Sequence, residues 1–266
     1  MAKAPTKRPA PRATTKPKKA MDFAAEFDWP GYFDAVKDKP ARETLVKALE
    51  LFEKDDAAVK PMGRAGRRGA RPRVAVDIGC GEGRDTRELL RRAGARPWSV
   101  LATDGSSTGL ELIARSLTAA ERPRVRLVEC TMEDLSRAYR DGVPHGSARA
   151  PARQVDLVNA SFSLPFCKPA DLPRLWRWID GLIRPGGRFA GQIFGDRDTW
   201  AHVRKTTGLS RRTVDRMFTG YVFEELREEE KDDITTMGEP KHWHVFHIVA
   251  RKRAAPAAKS GRRKTQ

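Results

Sequence analysis

The 266-residue sequence has few cysteines and no long apolar run. Its three cysteines, Cys80, Cys130 and Cys167, are widely separated and lack zinc-site spacing, so no metal site is predicted. This cysteine usage suits a reducing compartment, and we expect a cytoplasmic protein. No stretch of about 18 apolar residues is present, so no membrane-spanning helix is predicted. The first 20 residues also lack the apolar core of a secretory signal.

Acidic residues are missing from three segments whose combined positive charge exceeds the net charge of +17. Segments 1–20, 60–73 and 251–266 carry seven, six and seven Lys and Arg residues and no acid, which leaves −3 for the remainder. Such segments bury too little apolar surface to fold alone. We expect disordered tails at 1–20 and 252–266 and a linker at 61–73. The tails either only solubilise the protein or contact nucleic acid non-specifically through charge.

Residues 74–85, Val-Ala-Val-Asp-Ile-Gly-Cys-Gly-Glu-Gly-Arg-Asp, organise the rest of the chain. β-formers lead to Asp77, a glycine-rich turn follows, and a helix-like run begins at Arg84. This order predicts the strand, tight loop and helix that open a doubly wound α/β sheet. The turn has the spacing G-x-G-x-G, whereas dinucleotide-binding proteins have G-x-G-x-x-G.

A second acid, Asp104, ends the next predicted strand, which begins at Trp98. A carboxylate at this place can accept hydrogen bonds from both hydroxyls of a ribose, in an NAD site as well as in other nucleoside sites. The alternative is an N-cap for the helix that follows, although Ser106 and Ser107 can also cap it. Further strands are predicted at 125–129, 155–159, 188–194, 220–227 and 241–251, and helices at 41–54, 107–119, 171–182 and 210–217.

Four features in this order resemble class I S-adenosylmethionine (SAM) methyltransferases. They are Asp77-x-Gly-x-Gly-x-Gly83, Asp104, the segment 155–167 and the turn Pro185-Gly186-Gly187. The form Asp-Ile-Gly-Cys-Gly-Glu-Gly-Arg-Asp-Thr is similar to the small-molecule branch that includes tellurite-resistance-type methyltransferases. The resemblance covers residues 74–251 and, weakly, 21–60. It implies an α/β, Rossmann-like, doubly wound sheet of seven strands, mostly parallel, with strand seven antiparallel between strands five and six.

The resemblance implies SAM as the cofactor and assigns residues to it. Asp77 and Glu82 are expected at the methionine ammonium group, Asp104 at the ribose and Met132 at the adenine. Thr131 stands where the family usually has an acid for the adenine amine, which leaves that contact to Glu133, Asp134 or a backbone carbonyl. The full set expected to bind the cofactor is Asp77, Gly79, Cys80, Gly81, Gly83, Asp85, Asp104, Gly105, Met132, Glu133 and Asn159.

The methyl acceptor is less well specified. Residues 21–60 are expected to form a helical cap over the cofactor and substrate. The candidates for the acceptor site are Trp29, Tyr32, Phe162, Leu164, Phe166, Gln192 and Trp200. For the aromatic residues and Leu164, packing against neighbouring elements is an equally good interpretation. His242 and His244 share a strand face and could lie near the substrate.

Two signatures of DNA methylation are missing from the segment after the fourth strand. It has no Asp/Asn-Pro-Pro-aromatic motif, and Pro165 is followed by Phe166 instead of cysteine. No residue stands out as a general base, which a soft nucleophile or a carboxylate would not need. We therefore predict a SAM-dependent methyltransferase with a small-molecule acceptor.

Two rival functions remain open at the level of sequence. An NAD-linked oxidoreductase is disfavoured by the glycine spacing and by Pro185-Gly186-Gly187. A nucleic-acid-associated binding or regulatory protein with a methyltransferase fold is suggested by the basic tails. The presence of both Asp77 and Asp104 argues against it.

Overall fold

The computed structural model describes residues 27–58, 71–92, 96–203 and 206–254. The predicted tail 1–20, the start of the predicted cap, most of the linker and most of the tail 252–266 lie outside these ranges. Among the residues described, no helix is both long and apolar enough to cross a membrane.

One mixed sheet forms the centre of the fold, in the order β3-β2-β1-β4-β5-β8-β7. β1 to β5 are parallel, and β8 is antiparallel to both of its neighbours. This confirms the predicted architecture, with the last strand between the fifth strand and the hairpin partner. The strands are β1 Arg73–Ile78, β2 Trp98–Asp104, β3 Val125–Glu129, β4 Val155–Ala160, β5 Ile183–Gly195, β6 Gly208–Leu209, β7 Tyr221–Ile234 and β8 Pro240–Lys252.

The predicted number of strands was one too low. β6 has only two residues and pairs with the end of β5. Two residues are too few to show the alternation that identifies a strand in a sequence. The sheet therefore has eight strands, and the additional one lies at the carboxyl end of β5, beside the cavity described below.

Helices cover both faces of the sheet. They are α1 Trp29–Val36, α2 Glu43–Ala58, α3 Arg84–Arg91, α4 Ser107–Ser116, α5 Met132–Ala138, α6 Leu172–Leu182, α7 Thr199–Val203 and α8 Arg211–Met217. α2, α3 and α4 pack their apolar sides on one face, and α5, α6 and α8 pack theirs on the other. β1 and β4 are consequently buried along their whole length, which explains their nearly continuous apolar sequences.

The predicted turn Pro185-Gly186-Gly187 lies inside a strand. β5 begins at Ile183, directly after α6, and pairs with β4 at Ile183 and again from Arg188 onward. Residues 184–187 therefore bulge out opposite Asp156 alone. Gly186 has a φ of +76°, and a Cβ on Gly187 would lie 2.8 Å from the Asp156 carbonyl oxygen. The glycines thus permit a bulge rather than a chain reversal.

Gly83 shows how tightly the first loop packs on α4. It precedes α3 with a φ of +88°, and a Cβ there would lie 2.3 Å from Ile113 Cγ1. Gly83→Ala combines an unfavourable backbone conformation with overpacking, and we expect it to lower the free energy of unfolding by about 2–4 kcal/mol. Gly220→Ala, where a Cβ meets no atom within 4 Å, is the control. Urea denaturation of both variants tests this, and equal stability would contradict it.

Candidate active site

The carboxyl ends of β1, β2, β4 and β5 open into one cavity of about 1540 Å³. Ligands of open α/β sheets bind at this edge, where neighbouring connections leave the sheet in opposite directions. Here β1 lies between β2 and β4. Helix α1, the start of α2 and the β7–β8 hairpin complete the walls of the cavity.

The loop after β1 forms the floor of the cavity. Gly79 N and Cys80 N donate hydrogen bonds to the Thr103 carbonyl oxygen at 2.8 and 3.0 Å, which ties the loop to β2. Gly79 and Gly81 both have positive φ angles, and a Cβ on Gly79 would lie 2.4 Å from Ser163 Cβ. The glycines therefore let the loop approach the segment after β4 and expose its backbone to a ligand.

Asp104 anchors this loop from the end of β2. Its carboxylate accepts hydrogen bonds from Gly81 N and Ser106 N, each at 2.8 Å. The helix α4 begins after Ser106, so Asp104 is not the N-cap residue. Each carboxylate oxygen keeps a second acceptor position, and the side chain lines the cavity. Burial raises the pKa of Asp104.

Two buried carboxylates lie beneath the loop and share one amide group. Asn159 Nδ2 donates to Asp77 Oδ1 and to Asp85 Oδ2, both at 2.9 Å. Asp77 also accepts from Thr86 Oγ1 at 2.6 Å, and Asp85 accepts from Arg42 N at 2.8 Å. Burial, with the charge of Asp85 as the next contribution, raises the pKa of Asp77 to about 7. A cationic ligand beside this pair would stabilise its doubly ionised form.

Most of the residues assigned to the cofactor line the cavity. Those lining it are Asp77, Gly79, Cys80, Gly81, Asp85, Asp104, Gly105, Met132 and Glu133. Gly83 and Asn159 lie outside the lining: Gly83 packs on Ile113, and Asn159 is fully buried beneath the two carboxylates. Thr131 Oγ1 donates to Asp134 Oδ2 at 2.9 Å, next to a side cavity of about 390 Å³ that both residues line.

Nine aromatic side chains form a second part of the cavity lining, which we call the aromatic wall. Its members are the predicted Trp29, Tyr32, Phe162, Phe166 and Trp200, together with Phe27, Phe33, Phe194 and Trp243. The rings contact one another edge to face or at a tilt, with centroids 5.8 Å apart for Trp29 and Phe166. Phe33 was predicted with Trp29 and Tyr32 as part of the cap over the cofactor and substrate. Phe27, Phe194 and Trp243 were not predicted; the pairing register of β5 and β8 is needed to show which side chains of these strands share the cavity face.

Leu164 does not belong to this wall. It begins a single 3₁₀ turn, is 1% exposed and packs in the core on the α6 side of the sheet. An extended segment would place Leu164 on the same side as Phe162 and Phe166. The turn instead directs Leu164 into the core while the two phenylalanines line the cavity. The expectation that Leu164 contacts the acceptor was wrong.

Gln192 lines the cavity, but its amide is occupied by the protein. The oxygen accepts from Phe162 N at 3.2 Å, and the nitrogen donates to Thr44 Oγ1 at 3.0 Å. Phe162 has a φ of +52°, which is costly for a residue with a Cβ. The guanidinium of Arg42 lies 4.5 Å from the centre of its ring. Gln192 therefore holds Phe162 in its strained backbone conformation within the cavity lining.

The β7–β8 hairpin contributes residues that had not been predicted. Alternate side chains of each strand line the cavity, namely Arg227, Glu229, Lys231 and Asp233 from β7 and Trp243, Val245 and His247 from β8. His242 and His244 lie on the other face of β8, where His244 contacts Glu228 at 2.9 Å. The histidine that reaches the cavity is therefore His247.

Comparison with known proteins agrees with this geometry. Residues 75–187 match the family model described as a methyltransferase domain. The chain therefore contains a methyltransferase domain. The match runs from β1 into the bulge of β5 and includes the loop, both carboxylates and Asp104. No curated protein sequence matches the chain.

Two solved methyltransferase-type structures are similar to this chain in fold. TehB from Haemophilus influenzae is 14% identical, with a TM-score of 0.53 over 76% of this chain and 66% of that chain. The 1,6-didemethyltoxoflavin-N1-methyltransferase of Burkholderia thailandensis, solved with 1,6-didemethyltoxoflavin and S-adenosylhomocysteine, is 18% identical. Its TM-score is 0.52 over 85% of this chain and 84% of that chain.

The chemistry of the cavity fits SAM. Ser163 Oγ is buried without a hydrogen-bond partner, and Glu82 Oε1 has only an ion pair with Arg84 Nε at 3.5 Å, so both atoms can accept a bond from a ligand. Asp77, Glu82 and Asp85 give the floor the negative charge that suits a cation. SAM, when bound, supplies a methyl group on a positively charged sulfur. The protein contributes orientation and exclusion of water, which the buried carboxylates and the aromatic wall can provide.

Proposed function

We propose that this methyltransferase transfers the methyl group to a small molecule held against the aromatic wall. The observation that carries the proposal is the size and continuity of the cavity, which runs from Asp77 to Trp243 with a volume of about 1540 Å³. Sites for a single small ligand usually measure about 300–1,000 Å³. The cavity has room for a cofactor and an acceptor side by side.

The lining suggests how the two molecules divide this space. Asp77 and Glu82 hold the methionine end of the cofactor, Asp104 holds the ribose, and Met132 packs against the adenine. The acceptor then contacts Phe162, Phe166 and Trp243, whose rings favour an apolar or planar molecule. The Burkholderia enzyme of similar fold binds a small molecule, 1,6-didemethyltoxoflavin, which supports an acceptor of this class.

The charge of β7 argues against a nucleic-acid acceptor. Between Tyr221 and Ile234 this strand carries seven acidic residues and only Arg227 and Lys231 as bases. On the cavity face Glu229 and Asp233 alternate with Arg227 and Lys231, so the excess of acidic residues lies on the other face, at Glu228, Glu230 and Asp232. A polyanion approaching the cavity along this strand would be repelled. The basic tails remain a separate, sequence-based hypothesis for non-specific contact with nucleic acid.

Labelled SAM distinguishes the two acceptor classes. We expect label from methyl-labelled SAM to enter a compound of a deproteinised metabolite extract and not DNA or RNA from the same cells. Asp104→Ala serves as the control that removes cofactor-dependent labelling. Label in nucleic acid alone would contradict the proposal, and mass spectrometry of the labelled compound would identify the acceptor.

A further inference from the structure

His247 occupies a distinctive place in the cavity. It lies on β8 directly opposite Gln192 of β5, on the same strand face as Trp243 and Val245. The residue is 6% exposed, and neither ring nitrogen forms a hydrogen bond of acceptable geometry with the protein. Both nitrogens are buried, and buried imidazole nitrogens normally have a partner, so their vacancy in a residue that lines the cavity points to a ligand.

Charged groups surround the imidazole on both sides. Glu43 Oε1, at the start of α2, lies 3.0 Å from Nδ1, and Glu229 Oε2, on β7, lies 3.7 Å from Nε2. Arg227 forms ion pairs with both carboxylates, and Arg42 adds a further positive charge nearby. The rings of Phe162 and His247 are nearly perpendicular, with centroids 6.2 Å apart.

These surroundings keep the imidazole neutral. Burial, followed by the charge of Arg227, lowers the pKa of His247 below the ordinary value of 6.5, against the opposing effect of Glu43 and Glu229. A neutral imidazole near pH 7 has a lone pair that can accept a proton. Glu43, the closer carboxylate, lies beside Nδ1, so Nε2 is the nitrogen left to receive the proton.

We propose that His247 is the general base of the methyl transfer and that the acceptor carries the methylated atom as an O–H or N–H group. The inference rests on the proposed small-molecule function. The acceptor atom forms a bond to the methyl carbon while the carbon–sulfur bond breaks and its electron pair stays on sulfur. The acceptor proton moves to Nε2, so His247 becomes positively charged beside Glu43 and Glu229. Release of that proton to solvent restores the base.

The need for a general base depends on which atom of the acceptor is methylated. A thiolate or another soft anion needs no base, and a site built for one gains nothing from a neutral imidazole. Neutral alcohols, phenols and amide-like nitrogens are poor nucleophiles until the proton leaves. A cavity with His247 beside Phe162 therefore selects for acceptors that carry a removable proton.

His247→Ala tests the base directly, with the reactive metabolite extract as the acceptor source. We expect turnover at saturating SAM to fall by about 100-fold or more, and added imidazole to restore part of it. The wild-type rate should fall in acid with a midpoint below pH 6.5, and this dependence should be missing from the variant. His242→Ala is the matched control, since His242 lies on the opposite face of the same strand and is half exposed.

Binding and product analysis separate the possible outcomes. S-adenosylhomocysteine should still raise the melting temperature of His247→Ala, which shows that the cofactor site is intact. The labelled product should carry its methyl group on oxygen or nitrogen. A methyl group on sulfur, or an unchanged rate in His247→Ala, would overturn the inference while leaving the small-molecule function in place. Absence of any labelled small molecule would contradict that function and the inference together.

Discussion

Asp104→Ala is expected to remove nearly all of the rise in melting temperature that S-adenosylhomocysteine causes in the wild type. The change removes the carboxylate that would accept both ribose hydroxyls, and hydrogen bonds to a charged group contribute about 1.5–3 kcal/mol each. It also removes the acceptor of Gly81 N, so the loop after β1 loses its link to the end of β2. Together these losses predict that affinity falls by at least about 100-fold.

Differential scanning fluorimetry provides the measurement. A ligand at 100 times its dissociation constant stabilises a protein by about 2.7 kcal/mol, which raises the melting temperature of a chain of this size by several degrees. At that ligand concentration a 100-fold loss of affinity leaves the variant with at most about 0.4 kcal/mol of stabilisation, so its shift should be about 1 °C or less. Asp141→Ala removes an exposed carboxylate outside the cavity lining and should keep the full shift. A full rise in the melting temperature of Asp104→Ala would contradict the assignment of Asp104 to the ribose.

The sequence predicted the fold well because the signals of a doubly wound sheet are local. β1 and its glycine loop, and β2 with Asp104 at its end, are each visible within about ten consecutive residues. The order of the strands in the sheet was predicted from the family resemblance. The same local signals failed at Pro185-Gly186-Gly187, where the bulge depends on pairing with Asp156 of another strand.

The acceptor side of the cavity could not be predicted because long-range contacts create it. Gln192 bonds to Phe162 across 30 positions of sequence and to Thr44 across 148. His247 lies in a strand rich in histidine, and only the register with β5 shows which histidine faces the cavity. The alternation of side chains along a strand limits each histidine to one of two faces of the sheet. The position of α2, whose first residue lines the cavity, shows which of the two faces the cavity occupies.

Asp77→Asn is expected to stabilise the ligand-free protein while it weakens cofactor binding. The pKa of Asp77 is raised from 3.8 to about 7, so the folded state binds its proton more tightly than the unfolded state does. Wild-type stability from this group is therefore complete at low pH and is lost as the pH rises through about 7. An asparagine has no charge to bury. It can still accept from Asn159 and donate to Thr86, which are the two partners of Asp77.

The size and pH dependence of this effect follow from the same shift. Each pKa unit corresponds to about 1.4 kcal/mol, so the gain of Asp77→Asn over the wild type should grow by about 2–3 kcal/mol between pH 5 and pH 8. Urea denaturation at both pH values measures it. Asp141→Asn, which alters an exposed carboxylate, should show no such growth. A constant difference between Asp77→Asn and the wild type would contradict the raised pKa.

Cofactor binding should respond in the opposite direction. Placing the cationic sulfonium and ammonium of SAM near Asp77 and Asp85 favours the ionised carboxylates, so wild-type affinity should rise with pH through about 7 as Asp77 loses its proton. Calorimetric titration with SAM at several pH values tests this, and the Asp77→Asn variant should bind weakly with little pH dependence. Stability and cofactor affinity measured together distinguish two roles of Asp77 that either measurement alone would leave open. A carboxylate that only stabilises the loop would, when replaced, lower stability and affinity together, whereas a carboxylate buried to receive a cation raises stability when it is neutralised and lowers affinity.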